Sequence, residues 1–319
     1  MLMNFPTLAG IRAAAERIKP HAHRTPVLTC ASIDRMVSAR LFFKCENFQK
    51  VGAFKFRGAC NAVFSLSESE LAKGVATHSS GNHAAALALA ASLRGAPAFI
   101  VMPKTAPRIK KLAVEGYGGK IVFCEPTLAA REATLAQVVA ETGATVVHPF
   151  NDRRVICGQG TAALELLHEV ENLDFVLAPV GGGGLLSGTA LAVAGISPQT
   201  KVIAAEPAGA DDAYRSLQEG KIIPSTNPQT IADGLLTSLC ELTFGIIRSH
   251  VQQIVTVSEA NIITAMRHIW ERMKVIVEPS AAVVLGALLE KKFDCSGKRL
   301  GLILSGGNCD LEKLPWLPH

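Results

Sequence analysis

The apolar residues of this chain fall into two rhythms that alternate almost from end to end. Runs at 41–45, 75–78, 98–102, 121–123, 145–147, 175–178, 202–205, 254–257 and 300–304 are short, rich in Val, Ile and Phe, and mostly continuous. Strands buried on both faces look like this. Between them lie helical segments at 9–18, 58–65, 82–92, 107–115, 128–141, 160–170, 185–193, 259–273 and 279–289. Thr7 and Ser258 stand where helix N-caps belong. The alternation predicts an α/β fold with mainly parallel sheets. No repeat, low-complexity tract or long linker interrupts it, so one domain interrupted by another is compatible with the pattern.

Composition narrows the classes. The 319 residues, 49% hydrophobic, suffice for one large or two closely packed domains. The longest apolar run, 84–93, is alanine-rich and too short to cross a membrane. The first residues lack the basic, apolar, small-residue succession of a signal peptide. Eight cysteines without a Cys-x-x-Cys pair support neither zinc nor disulfides, and reduced thiols in a cytoplasm are expected. The net charge of +5 is modest; its densest basic spot, Lys110-Lys111, reads as a solvated helix face. With 5% aromatics, a nucleic-acid partner is not expected.

Candidate chemistry begins at Lys55, set in Ala53-Phe54-Lys55-Phe56-Arg57-Gly58. Apolar flanks favour the neutral amine, the form that is nucleophilic and makes Schiff bases. Far downstream, Gly181-Gly182-Gly183-Gly184 lies between a strand-like and a helix-like segment. Such a loop offers bare N–H groups and a helix N-terminus to a phosphate. It is not a dinucleotide fingerprint: counting from Gly181 the third glycine is Leu186, and from Gly182 it is Ser187. A purely structural glycine run is unexpected, because each glycine costs chain entropy on folding. A reactive lysine and a phosphate cup together suit pyridoxal 5'-phosphate (PLP).

Three other strand-to-helix loops carry polar groups. Ser79-Ser80-Gly81-Asn82-His83 could grip a carboxylate or a cofactor oxygen, although alone it reads more readily as a helix cap. Glu206-Pro207-Ala208-Gly209-Ala210-Asp211-Asp212 suits a hard divalent cation or, taken alone, a solvated acidic loop. Ser305-Gly306-Gly307-Asn308 could bond a cofactor ring atom or simply turn the chain. Each follows a strand, at the end where α/β folds bind ligands.

With these motifs in view, the chain resembles the fold type II PLP enzymes, specifically serine racemases and serine/threonine dehydratases. The resemblance runs through Arg24-Thr25-Pro26, Lys44 to Lys50, Gly52 to Ala59, Ser79 to His83, His148-Pro149, Gly158-Gln159-Gly160-Thr161, Gly181 to Gly184, Ala205-Glu206-Pro207, Thr230 to Gly234, Glu278-Pro279-Ser280 and Leu304 to Asn308. It implies two open, twisted, mainly parallel sheets flanked by helices. It also implies a large PLP-binding domain of residues 1–73 and 151–319 and a small mobile domain of residues 74–150.

The resemblance implies roles as well. Lys55 would hold the cofactor covalently and Phe54 would pack on its ring. Gly181, Gly182, Gly183, Gly184 and the N–H of Leu185 would hold the phosphate. Asn82 would bond the 3'-oxygen and Ser305 the ring nitrogen. Ser79, Ser80, Asn82 and His83 would receive the substrate carboxylate, with Ser80 the acid/base opposite Lys55. Glu206, the Ala210 carbonyl and Asp212 would hold Mg²⁺, Mn²⁺ or Ca²⁺. Arg131 could pair with a substrate carboxylate or equally form a surface ion pair. The implied activity is racemisation of serine with loss of ammonia from L-serine and L-threonine, by a cytoplasmic homodimer.

Departures qualify this. Ala53 and the Ala281-Ala282 pair differ from many relatives, and Ala85 replaces a glutamine near the nucleotide site of ATP-activated racemases, which counts against ATP as an activator. The Ala53-Phe54-Lys55-Phe56 variant also occurs in relatives that deaminate threo-3-hydroxyaspartate, so that activity is the rival expectation. A non-catalytic PLP-binding protein is the third, disfavoured because binding alone does not need Ser80. No regulatory domain is expected after Ser305, which disfavours a feedback-controlled threonine dehydratase.

Overall fold

The computed structural model describes residues 5–317. Ten strands build two sheets. They are β1 (Val27–Leu28), β2 (Arg40–Cys45), β3 (Val75–His78), β4 (Ala98–Pro103), β5 (Lys120–Cys124), β6 (Thr145–Val146), β7 (Phe175–Pro179), β8 (Lys201–Pro207), β9 (Gln253–Val257) and β10 (Arg299–Leu304). The larger sheet has the order β1-β2-β10-β7-β8-β9, the smaller β5-β4-β3-β6. All pairings are parallel except β1 on β2. The four strands of the smaller sheet are consecutive in sequence, and the chain returns to the larger sheet after them.

Helices on both faces explain why the strands lack polar alternation. In β7, Val176 and Ala178 join a core cluster on one face while Leu177 joins a second cluster on the other. In β8, Val202 and Ala204 go to the first and Ile203 and Ala205 to the second. Side chains alternate across a pleat, so a strand covered twice must be apolar throughout. A third cluster lies between the Lys55–Phe64 and Asn82–Leu93 helices and the smaller sheet.

Both expected N-caps form: Thr7 Oγ1 accepts from Gly10 N at 3.2 Å, and Ser258 Oγ from Asn261 N at 3.4 Å. The nine expected strands are present. The structure adds β1, two residues long, and the helices Ala31–Val37, Glu68–Lys73, Asp212–Glu219 and Glu241–His250. The helix expected at 160–170 spans Arg153–Glu169. Glycines 158 and 160 lie inside it and permit close contact. A Cβ on Gly158 would meet the Arg57 carbonyl at 2.5 Å, and one on Gly160 the Gly188 carbonyl at 2.9 Å. The segment 259–273 is α-helical only to His268; a π-turn at Ile269–Met273 closes it, followed by Lys274 at φ 59°.

Candidate active site

Lys55 opens the Lys55–Phe64 helix, and the end of β10 fixes where that helix starts. Phe54 N donates to the Ser305 carbonyl at 3.0 Å, and Ala53 bridges Gly306. Two loops expected to share a ligand, around Lys55 and Ser305, are therefore neighbours. Lys55 Nζ donates to the Pro149 carbonyl at 3.2 Å and lies 5.0 Å from the centre of the Phe54 ring. Burial pulls this amine down to about 8, against the opposing pull of the Glu278 carboxylate. The amine is accordingly much closer to neutral at physiological pH than a surface lysine.

The glycine loop joins β7 to the Gly184–Ile196 helix. Residues 181–185 are buried, and their N–H groups meet no acceptor among the described residues. The last two of these are first-turn donors of a helix, which have no intrahelical partner. Five adjacent buried donors without acceptors would be unfavourable in an empty protein, and they fit a phosphate. Packing also demands glycine at these positions, alongside the bare N–H groups. A Cβ on Gly182 would run into the Phe150 ring, and one on Gly181 would meet Leu235 Cα at 2.9 Å. Gly183, at φ +83°, is pressed by Leu239, Thr243 and Ile247.

Ser79 to His83 lead from β3 into the Asn82–Leu93 helix. Ser80 is half-buried and its hydroxyl has no protein partner, while Ser79 Oγ accepts from Gly81 N at 3.4 Å. The Asn82 amide is already engaged. Its Nδ2 donates to both oxygens of Glu278, and its Oδ1 accepts from Asn308 Nδ2 at 3.0 Å. His83 does not present its ring to the cleft: the ring is buried and its Nε2 bonds the Val147 carbonyl at 2.9 Å. What His83 can offer a carboxylate is its N–H in the first helical turn.

Glu278 and His148 appear in the motifs of the resemblance but carried no role there. Glu278 is buried beside Gly306, and burial raises its carboxyl to about 7. A glutamate directly before Pro279 at a helix start reads as an ordinary helix beginning. His148 lies 5.9 Å from His78 and 4.6 Å from Phe150, between ring centres. Its Nδ1 accepts from the N–H groups of Phe150 and Asn151, so its proton sits on Nε2. Burial, then His78 and Lys55, push it down to about 4, so it is neutral. Arg131, on the Leu128–Thr142 helix, forms no ion pair among the described residues, and its buried Nε has no partner. It lies near enough to His78 to add to the lowering that burial causes there.

The acidic loop after β8 is not a solvated one. Glu206 and Asp212 are both buried. Glu206 accepts from the N–H groups of Ala213 and Tyr214 at 2.9 and 2.8 Å, anchoring the Asp212–Glu219 helix. Neither Asp212 oxygen meets a donor in good hydrogen-bond geometry among the described residues, although its own N–H and the Ser225 hydroxyl lie close enough to oppose the effect of burial on it. Burial raises Glu206 to about 8 and Asp212 to about 6. Two adjacent buried carboxylates, one of them without a well-placed donor, fit a divalent cation with the Ala210 carbonyl beside them. Among the described residues no site gathers three or more His, Cys, Asp or Glu side chains, so water would have to complete such a shell.

Comparison with known proteins accords with this geometry. A family described as pyridoxal-phosphate dependent enzyme matches residues 18–306. A beta-hydroxyaspartate dehydratase from Paracoccus denitrificans is 54% identical over 98% of this chain and 100% of its own. A serine racemase from Arabidopsis thaliana is 52% identical over 96% of this chain and 94% of its own. The crystal structure of serine racemase from Dictyostelium discoideum superposes with a TM-score of 0.93 at 50% identity, covering 96% of this chain and 99% of that one. With the lysine, the phosphate cup and these matches together, the chain belongs to the fold type II family of pyridoxal-phosphate-dependent enzymes.

Proposed function

We propose that this enzyme acts on small hydroxy amino acids, racemising serine and releasing ammonia from L-serine and L-threonine. The observation that carries the reading is Lys55, an amine of depressed basicity held beside Ser305, in a protein whose buried N–H groups at 181–185 await an anion. Bound PLP supplies an electron sink that acidifies the substrate Cα–H. Lys55 would take that proton on one face. Ser80 holds or returns a proton on the other. Ser305 would offer the ring nitrogen a neutral hydroxyl, and Phe54 would support the ring face. Ser79, Ser80 and the first-turn N–H groups of Asn82 and His83 orient the substrate carboxylate. Departure of the β-hydroxyl leads to pyruvate and ammonia; return of a proton from the Ser80 side gives D-serine.

A second reading has its own support. Arg131, with an unpartnered Nε near the neutral His78, suits a further carboxylate on the substrate, as in threo-3-hydroxyaspartate. A relative at 54% identity bears the name beta-hydroxyaspartate dehydratase. Incubation with L-serine, D-serine, L-threonine and both threo-3-hydroxyaspartates, assaying keto acid and enantiomer together, tests the two readings. Turnover of hydroxyaspartate alone would overturn the first.

Glu206, the Ala210 carbonyl and Asp212 form, in this reading, a Mg²⁺, Mn²⁺ or Ca²⁺ site that braces the loop after β8. Residues 74–150 act as a small domain closing on 1–73 and 151–319. The enzyme is a cytoplasmic homodimer.

A further inference from the structure

Two residues after Lys55, Arg57 centres a cluster of four charged side chains drawn from three segments of the chain. Arg57 makes two forks. Its Nε and Nη2 donate to the two oxygens of Glu46 at 2.7 and 2.9 Å. Its Nη1 and Nη2 donate to the two oxygens of Glu165 at 2.7 and 2.8 Å. Lys44 Nζ donates to Glu165 Oε2 and to the Thr25 carbonyl, each at 2.6 Å, and Thr25 Oγ1 donates to Glu46 at 2.6 Å. Lys44, Glu46 and Arg57 are each 0% exposed. Two cations face two carboxylates, so the cluster is balanced.

Stability alone is a poor reason for such a cluster. Burying ions is expensive, and apolar residues of similar volume often hold a fold as well or better. What the cluster adds is direction. A planar guanidinium gripped by two bidentate carboxylates cannot rotate, whereas an ammonium could. Arg57 lies in the first turn of the helix that begins at Lys55. Glu165 belongs to the Arg153–Glu169 helix, which holds the same turn again through Gln159 Oε1, accepting from Gly58 N at 3.2 Å. Pro149, the acceptor of the Lys55 amine, stands just before that helix.

We propose that the Lys44–Glu46–Arg57–Glu165 cluster is the positioning frame of Lys55: it fixes the rotation of the first helical turn and so aims the amine at its partner in the cleft. The proposal rests on the reading of Lys55 as the lysine that carries the cofactor. Arg57 touches neither substrate nor cofactor and acts only through the helix.

The test uses the full chain with Arg57→Lys, and with the joint apolar replacement Lys44→Met, Glu46→Leu, Arg57→Met and Glu165→Leu, which leaves no orphaned charge. PLP is added to the cofactor-free protein and capture at Lys55 is followed by its absorbance band, then by borohydride trapping and peptide mass. A misplacement on the ångström scale costs roughly 10²-fold, so capture and kcat should fall by about that factor in both folded variants while KM and melting temperature change little. A merely structural cluster would lower the melting temperature and leave capture and kcat of the folded protein unchanged, which would overturn the proposal. Failure of both variants to fold would overturn it too, since the cluster would then be holding the fold. No capture at Lys55 by the unaltered protein would sink the reading of Lys55 itself; normal capture in all three proteins would sink the positioning proposal alone.

Discussion

Asn82 donates its side-chain amide to both carboxylate oxygens of Glu278, at 3.0 and 3.1 Å. Asn82 opens the helix that follows β3 of the smaller sheet, and Glu278 precedes the Pro279–Leu289 helix packed on the larger one. One pair of side chains therefore ties the two sheets together beside Lys55. Glu278 is also the charge that holds the Lys55 amine up against the effect of burial.

This coupling makes a pH prediction. Only the neutral amine attacks an aldehyde, so capture of PLP by the cofactor-free protein should quicken as pH rises and level off above about 8, the value burial gives Lys55. In Glu278→Gln the opposing charge is gone, and the midpoint should move to lower pH. Stopped-flow absorbance across the pH range measures both. A midpoint near an ordinary lysine's 10.5 would contradict the assignment.

Ser80 separates the two outcomes of the reaction. Ammonia release from L-serine needs a base only on the Lys55 face. Interconversion of enantiomers, and any reaction of D-serine, needs proton transfer on the other. Ser80→Ala should lower L-to-D conversion and D-serine deamination by roughly 10²–10⁴-fold while sparing much of the L-serine deamination. Equal losses for both enantiomers, carried in KM, would reduce Ser80 to a cap and carboxylate holder.

The carboxylates after β8 predict how stability depends on pH and on cations. Glu206 and Asp212 both titrate higher in the folded chain than the usual 4.5 and 3.8. The folded state thus binds protons more tightly than the unfolded one. Without metal, stability should be greatest at the acid end of this window and fall as pH climbs through about 6 and then about 8. Mg²⁺ or Ca²⁺ binds the ionised carboxylates and should remove that fall. Thermal melts with EDTA and with each ion, from mildly acid to mildly alkaline pH, decide it; superimposable curves would remove the cation from the site.

Closure of residues 74–150 would load the ties between the sheets. Lys110 Nζ meets Asp233 Oδ2 at 2.6 Å, both partly exposed, and is a further such tie beside those of Asn82 to Glu278 and Asn308. Lys110→Ala should loosen the closed form, raising KM more than it lowers kcat, with an effect that fades at high salt because exposed pairs are screened. Steady-state kinetics at two ionic strengths checks this, and an unchanged KM at low salt would count against the tie.

Much of this enzyme was legible in the sequence because its signals are local. A strand covered on both faces must be apolar throughout, so nine of the ten strands declared themselves. A lysine between phenylalanines, a run of glycines after a strand and a Ser-Ser-Gly-Asn helix start each carry their chemistry in a few adjacent residues. Short amphipathic pieces such as Glu68–Lys73 and Asp212–Glu219 did not stand out, because one or two turns give too little periodicity. The helix expected at 160–170 starts earlier, at Arg153, and carries Gly158 and Gly160 inside it, where each lets a partner backbone approach.

The remainder belongs to tertiary structure. Glu278, Pro149, His148 and Phe150 join the site only because distant segments end at the same edge of a sheet. The His83 ring turns to Val147 because the helix after β3 packs there, whatever its neighbours in sequence suggest. Arg57 looked like a companion of Lys55 and proved to be the centre of a buried charge cluster whose partners lie 11 and 108 residues away. Residue types and local order set which groups could do chemistry. Burial, which moves their proton affinities, and long-range contacts, which aim them, decided which groups meet.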